Sequence, residues 1–185
     1  MKLTGTAIPL GALKTKKSVG CGEFQDIIPF ADFCKKAGLK IIQLLPVNDT
    51  GTESSPYSAL SAFALHPLYI TLEKLTTDEA MVAKIKKIRK KYKDFERFPY
   101  KDLRQDKLAI LREIFATVKD EVKKSKEIEA WRDENPWVKE YAVFMHLKDE
   151  NNEASYKQWK CHKNVNPKKI EELWNNEKTA EEHLF

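Results

Sequence analysis

One short apolar run limits the possible folds of this chain more than any other feature. Residues Leu39–Leu45 have the length and character of a buried strand, and they lead directly into a polar loop, Pro46–Tyr57. Parallel strands of α/β proteins are covered on both faces and read as nearly continuous apolar runs. The loops that follow such strands carry the functional groups. We therefore expect an α/β fold with its functional site in Pro46–Tyr57.

A second apolar segment, Thr6–Leu10, completes a strand–helix–strand pattern. The helix is predicted over Asp26–Ala37, and Gly38 stands where a glycine C-cap is expected. Its apolar face consists of residues at helical spacing: Ile27, Phe30, Ala31 and Cys34. A right-handed crossover would place the loops Gly11–Phe24 and Pro46–Tyr57 together at the carboxyl ends of two parallel strands. The pattern thus predicts a βαβ unit.

The rest of the chain has a different character. All six glycines lie within the first 51 residues, so the tight turns belong to the N-terminal part. Beyond a linker at Thr76–Asp78, apolar residues recur at helical spacing among many charges. One helix is predicted over Met81–Phe95, with a buried face of Val82, Ile85, Ile88, Tyr92 and Phe95. A second apolar stripe consists of Leu108, Leu111, Phe115, Val118 and Val122.

Two Asn-Pro pairs predict further helix starts. Asn135-Pro136 and Asn166-Pro167 each place an N-cap residue before a proline at the first helical position. The second of these helices is expected to continue as far as Phe185. A frayed natural terminus explains an ending within a helix as well as a truncation does.

The positive charge of the chain is modest. Its 33 lysines and arginines against 28 acidic residues give a net charge of +5, and the pI is about 8.9. The cations between Lys84 and Lys93 surround one apolar helix face, a pattern typical of the solvated side of an amphipathic helix. Nucleic acid is therefore not expected as a partner, and a basic nucleic-acid binder ranks last among the alternatives.

No segment indicates a membrane, a secretory signal, a metal or a nucleotide. Because no apolar run has the length of a bilayer span and no signal-peptide pattern is present, we expect a cytoplasmic protein without a membrane partner. Cys21, Cys34 and Cys161 lack metal-ligand spacing, and the glycine patterns of nucleotide sites are missing. No cofactor is predicted. Cys34, on the apolar helix face, is expected to be a buried and inert thiol.

Four carboxylates border the two predicted loops: Glu23, Asp26, Asp49 and Glu53. A retaining glycosidase needs a nucleophile and an acid/base about 5 Å apart. Sequence does not give that distance, and a turn-forming or capping role is favoured for each of the four. His66, before Pro67, is interpreted as a loop histidine with a backbone partner rather than a general base.

The cluster Ser54-Ser55-Pro56-Tyr57 is the best candidate for a binding surface. A tyrosine offers a flat apolar face with a hydroxyl, and serines offer adaptable hydrogen bonds, which together match the C–H faces and hydroxyls of a sugar. The alternative is a turn stiffened by Pro56 whose Tyr57 packs inward. The pattern by itself leaves both interpretations open.

Five blocks in the first 75 residues resemble, in order and spacing, the N-terminal part of the amylomaltase family, the 4-α-glucanotransferases of glycoside hydrolase family 77: Thr6–Leu10, Gly20–Phe24, Ile42–Gly51, Ser55–Ala64 and His66–Ile70. Two further blocks, Glu140–Lys148 and Tyr156–Trp159, resemble the helical insertion of that family. The family transfers segments of α-1,4-glucan between chains with retention, through a covalent intermediate.

The resemblance implies an α/β fold that is the N-terminal part of a (β/α)8 TIM barrel. Residues 1–75 would form its first βαβ unit and residues 76–185 a helical insertion subdomain, truncated at its C-terminal end. It also implies that Tyr57 lines the sugar subsites at the point of cleavage and that Ser55 positions the loop or a sugar hydroxyl. The substrate would be an α-1,4-glucan or maltodextrin, with no cofactor.

The chain also departs from the family pattern. Ser54 stands where many members have Asp, Leu65-His66-Pro67 where many have Gly-Asn-Pro, and Thr52 where some have an aromatic residue that grips glucan away from the catalytic centre. The catalytic carboxylates of the family come from later barrel strands, so we expect no catalytic residue in this chain. Alone it should be inactive, with the missing C-terminal barrel portion as its partner. The alternative is a non-catalytic maltodextrin-binding or regulatory fragment.

Overall fold

The computed structural model describes residues 3–95, 97 and 99–185. The chain is mixed α/β and mostly helical, and it divides after Ile114 into two compact units. Strand β1 is Gly5–Ile8 and strand β2 is Ile41–Leu44. The helices of the N-terminal unit are α1, Ile27–Lys36, and α2, Glu79–Lys91. Helix α3, Tyr100–Lys124, begins in this unit and ends in the next one.

Strands β1 and β2 are parallel neighbours with α1 between them in sequence. Gly5 lies opposite Ile41, and Ile8 lies opposite Leu44. Only glycine fits at position 5, because a Cβ there would stand 2.6 Å from the carbonyl oxygen of Ile41. The predicted strand–helix–strand order is therefore present, with strands shorter than the apolar runs.

The expectation that both strands are buried on both faces is wrong for this chain. Along each strand, exposed residues alternate with half-buried ones, and Ile41 is 44% exposed. The sheet formed by the described residues has two strands and is covered on one face only. Because successive side chains of a strand point to opposite faces, every second residue is exposed when only one face is covered, even in an apolar strand.

Helix α1 confirms the predicted apolar stripe and its glycine stop. Cys34 is buried, and the helix ends in a Schellman motif. The Leu39 N–H donates to the Cys34 carbonyl at 2.9 Å, and the Gly38 N–H donates to the Lys35 carbonyl at 3.2 Å. Gly38 has a φ of +76°, which glycine adopts without strain. This cap turns the chain from α1 into β2.

The core of the N-terminal unit lies beside the loops and helices rather than on the sheet. Helix α2 and the first half of α3 pack on the 3-10 turns Pro67–Tyr69 and Leu72–Lys74. The most deeply buried apolar members of this core are Val19, Cys21, Leu68, Leu72, Ile85, Tyr92, Leu103 and Ile110. The predicted loop segments thus supply much of the packed interior.

Two helix predictions need correction. Helix α2 ends at Lys91, and Phe95, expected on its buried face, lies beyond the helix and is 54% exposed. Most basic residues of α2 are exposed to solvent as expected, and Lys91 also pairs with Asp106 at 2.7 Å. Helix α3 begins earlier than the stripe from Leu108 indicates. Its buried face runs through Tyr100, Leu103, Arg104, Lys107, Ile110, Leu111 and Ile114.

The C-terminal unit, Phe115–Phe185, contains four further helices: α4, Lys126–Glu134, α5, Trp137–Glu150, α6, Pro167–Trp174, and α7, Ala180–Leu184. Val143, Leu147 and Trp159 form its buried centre. None of the helices that the structure describes is long and apolar enough to cross a membrane.

The Asn-Pro start signals differ in outcome. At α6 the prediction is confirmed, because the Asn166 side chain accepts a hydrogen bond from the Lys169 N–H at 2.9 Å. At α5 the N-cap position falls on Pro136, and the Asn135 side chain instead accepts from the indole N–H of Trp137.

The continuous helix expected from Pro167 to Phe185 is wrong. Helix α6 ends at Trp174, and α7 begins only at Ala180. Asn175 and Asn176 follow α6, and the Thr179 hydroxyl donates to the Asn176 carbonyl at 3.1 Å. Such side-chain bonds to the backbone compete with helical ones and account for the break.

Candidate functional site

The loop after β2 is closed at its base. The Asp49 N–H donates to the Ala64 carbonyl and the His66 N–H to the Val47 carbonyl, each at 2.9 Å. The Leu60 N–H donates to the Asp49 carbonyl at 2.7 Å. These bonds form a neck of Val47–Asp49 against Ala64–His66, and we call the enclosed residues 50–63 the tip. A closed neck fixes where the tip stands relative to β2.

The tip presents the predicted sugar-binding residues to solvent. The Tyr57 side chain is 72% exposed, and Ser55 is also exposed. A turn shapes this stretch, because the Ser58 N–H donates to the Ser55 carbonyl at 3.1 Å. The alternative in which Tyr57 packs inward is therefore wrong. Whether Ser55 and Tyr57 contact sugar stays a prediction at this point.

Buried polar side chains fill the space beneath the neck. The Tyr100 hydroxyl, at the start of α3, donates to the Gly51 carbonyl at 2.7 Å and lies 2.6 Å from His66 Nε2. It also lies 3.0 Å from the Thr50 hydroxyl. The Asp49 carboxylate accepts from the Gly51 N–H at 2.8 Å, which makes the turn at the start of the tip. One tyrosine thus contacts the start of the tip and the Ala64–His66 side of the neck.

His66 is a structural histidine, as its position before Pro67 predicted. Its Nδ1 accepts the Leu68 N–H at 3.1 Å and caps the 3-10 turn that begins at Pro67. Burial lowers the pKa of His66 to about 4, although the nearby Asp49 carboxylate acts in the opposite direction. The imidazole is therefore neutral near pH 7, and because Nδ1 is an acceptor, the proton is assigned to Nε2.

The carboxylates of the first loop shape that loop. Glu23 and Asp26 form a capping box at the 3-10 turn before α1, in which each side chain accepts the backbone N–H of the other residue. Asp26 also accepts from the hydroxyls of Thr15 and Ser18, each at 2.8 Å. Glu23 pairs with Lys107 of α3 at 2.7 Å, and both side chains are almost fully buried. The favoured capping role is confirmed for these two residues.

The two loops meet at one aromatic side chain. Tyr69 packs edge-on against Phe24, at the end of the first loop, and against His66, at the neck of the second. The ring centroids are 5.9 Å and 5.6 Å apart, respectively. Burial raises the pKa of Tyr69 to about 12, so the phenol stays neutral. The loops of the predicted βαβ unit are thus joined on the side where β1 and β2 end.

Sequence reasoning missed the residues of α3 that hold this region, Tyr100 and Lys107. Their side chains reach partners 34 to 84 positions earlier in the chain. A local signal did exist, because Tyr100, Leu103 and Lys107 fall on one helix face. Within the part of the chain that the structure describes, no cluster of three or more His, Cys, Asp and Glu residues is arranged to hold a metal ion.

Comparison with known proteins decides the family. The model of the 4-alpha-glucanotransferase family, glycoside hydrolase family 77, matches residues 8–185. The chain belongs to this family. Its resemblance to the amylomaltases, seen in the first 75 residues and in two helical blocks, is confirmed.

Individual 4-alpha-glucanotransferases match over most of this chain. The rice (Oryza sativa subsp. japonica) 4-alpha-glucanotransferase DPE2 is 34% identical over 178 residues, which cover 91% of this chain and 19% of the rice protein. The 4-alpha-glucanotransferase of Chlamydia caviae is 36% identical over 160 residues, which cover 84% of this chain and 30% of that protein. The chain therefore spans between about a fifth and a third of the length of these relatives.

A solved amylomaltase has the same fold over the matching part. The amylomaltase from Streptococcus agalactiae, determined in complex with acarbose, superimposes with a TM-score of 0.77 at 20% identity. The match covers 99% of this chain and 37% of the amylomaltase. At this identity the likeness establishes the fold of the chain, a mixed α/β arrangement with mostly helices.

Proposed function

We propose that this chain is the N-terminal part of a 4-α-glucanotransferase. The whole protein would transfer segments of α-1,4-glucan to a glucan or glucose acceptor with retention, in the cytoplasm. The family match and the partial coverage of the relatives support this reading. The names of those relatives favour it over a non-catalytic maltodextrin-binding or regulatory fragment.

Residues 1–75 would be the first βαβ unit of a (β/α)8 barrel, and residues 76–185 the helical insertion. The parallel pairing of β1 with β2, and the helix between them, support the barrel assignment. The exposed face of the sheet, together with the exposed Ile28 and Phe33 of α1, is what a unit of a larger barrel would present to its neighbours. The C-terminal barrel portion is accordingly the proposed partner.

The proposed glucan contacts are Tyr57 and Ser55. The observation that carries this proposal is the exposed Tyr57 ring on a tip whose neck is closed at the carboxyl end of β2. A fixed, exposed aromatic ring can pack on the C–H face of a glucose unit, and the Ser55 hydroxyl beside it can bond a sugar hydroxyl. The loops at this end of barrel strands form the active site of such folds.

The reacting carboxylates are proposed to lie outside this chain. Retention requires a nucleophile and an acid/base about 5 Å apart across the scissile bond. Here Glu23 and Asp26 form the capping box, Glu23 also pairs with Lys107, and the Asp49 carboxylate makes the turn at the start of the tip. Carboxylate-based transfer needs no metal or organic cofactor. The chain alone would therefore bind glucan without cleaving it.

Two measurements test this proposal. Incubation of the chain with maltotriose should release neither glucose nor longer maltodextrins, and robust disproportionation would overturn the assignment of the carboxylates. Titration with maltoheptaose, followed by amide chemical shifts, should perturb residues of the tip. Tyr57→Ala should abolish these shifts, whereas Tyr57→Phe should retain them because the ring remains. Equal binding by the alanine variant would remove Tyr57 from the site.

A further inference from the structure

We propose that Tyr100 is a positioning residue that holds the tip carrying Ser55 and Tyr57 in its glucan-facing conformation. The inference rests on the proposed function of those two residues. Tyr100 belongs to the first turn of α3, far in sequence from the tip, and its side chain is buried. It would act through the neck, without touching sugar.

The hydroxyl of Tyr100 is the point where three segments meet. It bonds Gly51 at the start of the tip, lies within hydrogen-bond distance of the Thr50 hydroxyl, and faces His66 at the end of the neck. These partners lie 49, 50 and 34 positions away in sequence. A single oxygen therefore joins the entry and the exit of the loop to a helix.

The protons in this cluster can be assigned consistently. The Tyr100 hydroxyl donates its one proton to the Gly51 carbonyl, so its lone pairs are available to accept from His66. His66 Nε2–H donates to that oxygen, since Nδ1 already accepts from Leu68. The Tyr100 hydroxyl thus donates to Gly51 and accepts from His66, and these two bonds tie the start of the tip to the neck.

A second bonded turn, next to the Gly51 carbonyl that Tyr100 holds, leads to the exposed serines. The Thr50 hydroxyl donates to the Glu53 carbonyl at 2.5 Å, and the Glu53 N–H donates back to the Thr50 carbonyl at 3.1 Å. Glu53 directly precedes Ser54 and Ser55. Loss of the Tyr100 hydroxyl would release the Gly51 carbonyl, two residues before Glu53, and so act on the backbone that leads to the glucan-facing residues.

Replacing Tyr100 by phenylalanine isolates the role of the hydroxyl. The ring packs edge-on against His66, with centroids 5.8 Å apart, and phenylalanine preserves that contact and the buried volume. It leaves the Gly51 carbonyl and His66 Nε2–H without this partner in a buried place, which is costly. The expected result is a loosened neck in an otherwise intact unit.

The first measurement is amide hydrogen exchange of the wild-type chain and Tyr100→Phe, without sugar. Gly51, Glu53 and Leu60 are reporters in the loop because their N–H groups are bonded there. Leu39, bonded to Cys34, is the reporter outside it. Loss of the hydroxyl should speed exchange of the loop reporters about tenfold and leave Leu39 unchanged. Tyr156→Phe, at an exposed tyrosine, is the control and should change neither set.

The second measurement is maltoheptaose affinity of the same variants. Tyr100→Phe should weaken binding about five- to tenfold, whereas Tyr156→Phe should not. Unchanged exchange in the loop, or equal acceleration at Leu39, would overturn the positioning role. If Tyr100→Phe fails to fold in buffer, the same exchange comparison is made in trimethylamine N-oxide, which favours the folded state; the localised acceleration must appear there, and its absence would also overturn the role.

The two proposals can fail separately. Absence of maltoheptaose binding by the wild-type chain, or binding that survives Tyr57→Ala, would contradict the proposed function of the tip. The exchange rates would still decide whether Tyr100 positions it. Faster loop exchange together with unchanged glucan affinity would overturn the inference that this position matters for binding.

Discussion

His66 Nε2 lies 3.7 Å from Asp49 Oδ1, yet the imidazole is held neutral. Both side chains are almost completely buried, so the cost of burying an imidazolium exceeds the attraction of the carboxylate. The cations of Arg104 and Lys107 act in the same direction as burial. The neutral ring can then cap the turn through Nδ1 and bond Tyr100 through Nε2.

This relationship predicts a loss of stability in mild acid. The pKa of His66 is lowered from 6.5 to about 4 by folding, so between these values the unfolded chain binds a proton that the folded chain does not. Stability should therefore fall as pH decreases from about 6.5 to 4, by about 3 kcal/mol from this residue. Urea unfolding at several pH values measures the loss.

His66→Gln provides the comparison for that measurement. Glutamine does not titrate, so the fall in stability between pH 6.5 and 4 should be smaller in this variant than in the wild-type chain. His183, whose pKa is also lowered by burial, contributes a residual fall in the same direction. Equal pH dependence in both proteins would contradict the assignment to His66.

Lys107→Met should be strongly destabilising. It removes the partner of Glu23 and leaves a carboxylate buried without its cation, a change that costs about 3–5 kcal/mol. Methionine retains most of the apolar part of the lysine side chain, so the loss of stability measures the effect of removing the positive charge. Lys86→Met, on the exposed side of α2, should change stability by less than about 0.5 kcal/mol.

The double variant Glu23→Gln with Lys107→Met separates the two contributions. Because glutamine removes the buried negative charge, part of the lost stability should return. Denaturant unfolding of the wild-type chain, Lys86→Met, Lys107→Met and the double variant measures these differences in stability. If Lys107→Met were as stable as Lys86→Met, this buried pair would not support the fold.

The three cysteines should react very unequally with a thiol reagent. Cys161 is exposed, whereas Cys21 and Cys34 are buried, and burial raises the pKa of Cys21 to about 12. The native chain should therefore show one rapidly reacting thiol and the denatured chain three. Cys161→Ser should remove the rapid phase, and a rapid phase that persists in it would contradict this burial.

Local patterns predicted the elements whose determinants are local. The stripe of α1, the Gly38 stop and the Asn166 cap each depend on residues within a few positions, and each is present. The residues that organise the site were not predicted. Tyr100 and Lys107 share a helix face with Leu103, but their partners lie dozens of residues away, and helical spacing does not indicate which partners they have.

Burial was harder to predict than secondary structure. The apolar run before the candidate loop indicates a strand, and β2 lies there, but its exposure depends on what covers the sheet. The exposure of Tyr57 could not be decided for the same reason, because the Ser-Pro-Tyr turn is compatible with either orientation of the ring. In the structure the ring is exposed, on a tip whose base is closed by bonds between backbone groups.

The two-stranded sheet has a practical consequence. In the part of the chain that the structure describes, β1 and β2 pair only with each other, so each strand has one side whose backbone groups find no ladder partner. Such sides can accept an additional strand from any chain that offers one. Concentrated solutions of the isolated chain should accordingly contain soluble aggregates, and their proportion should rise with concentration and time.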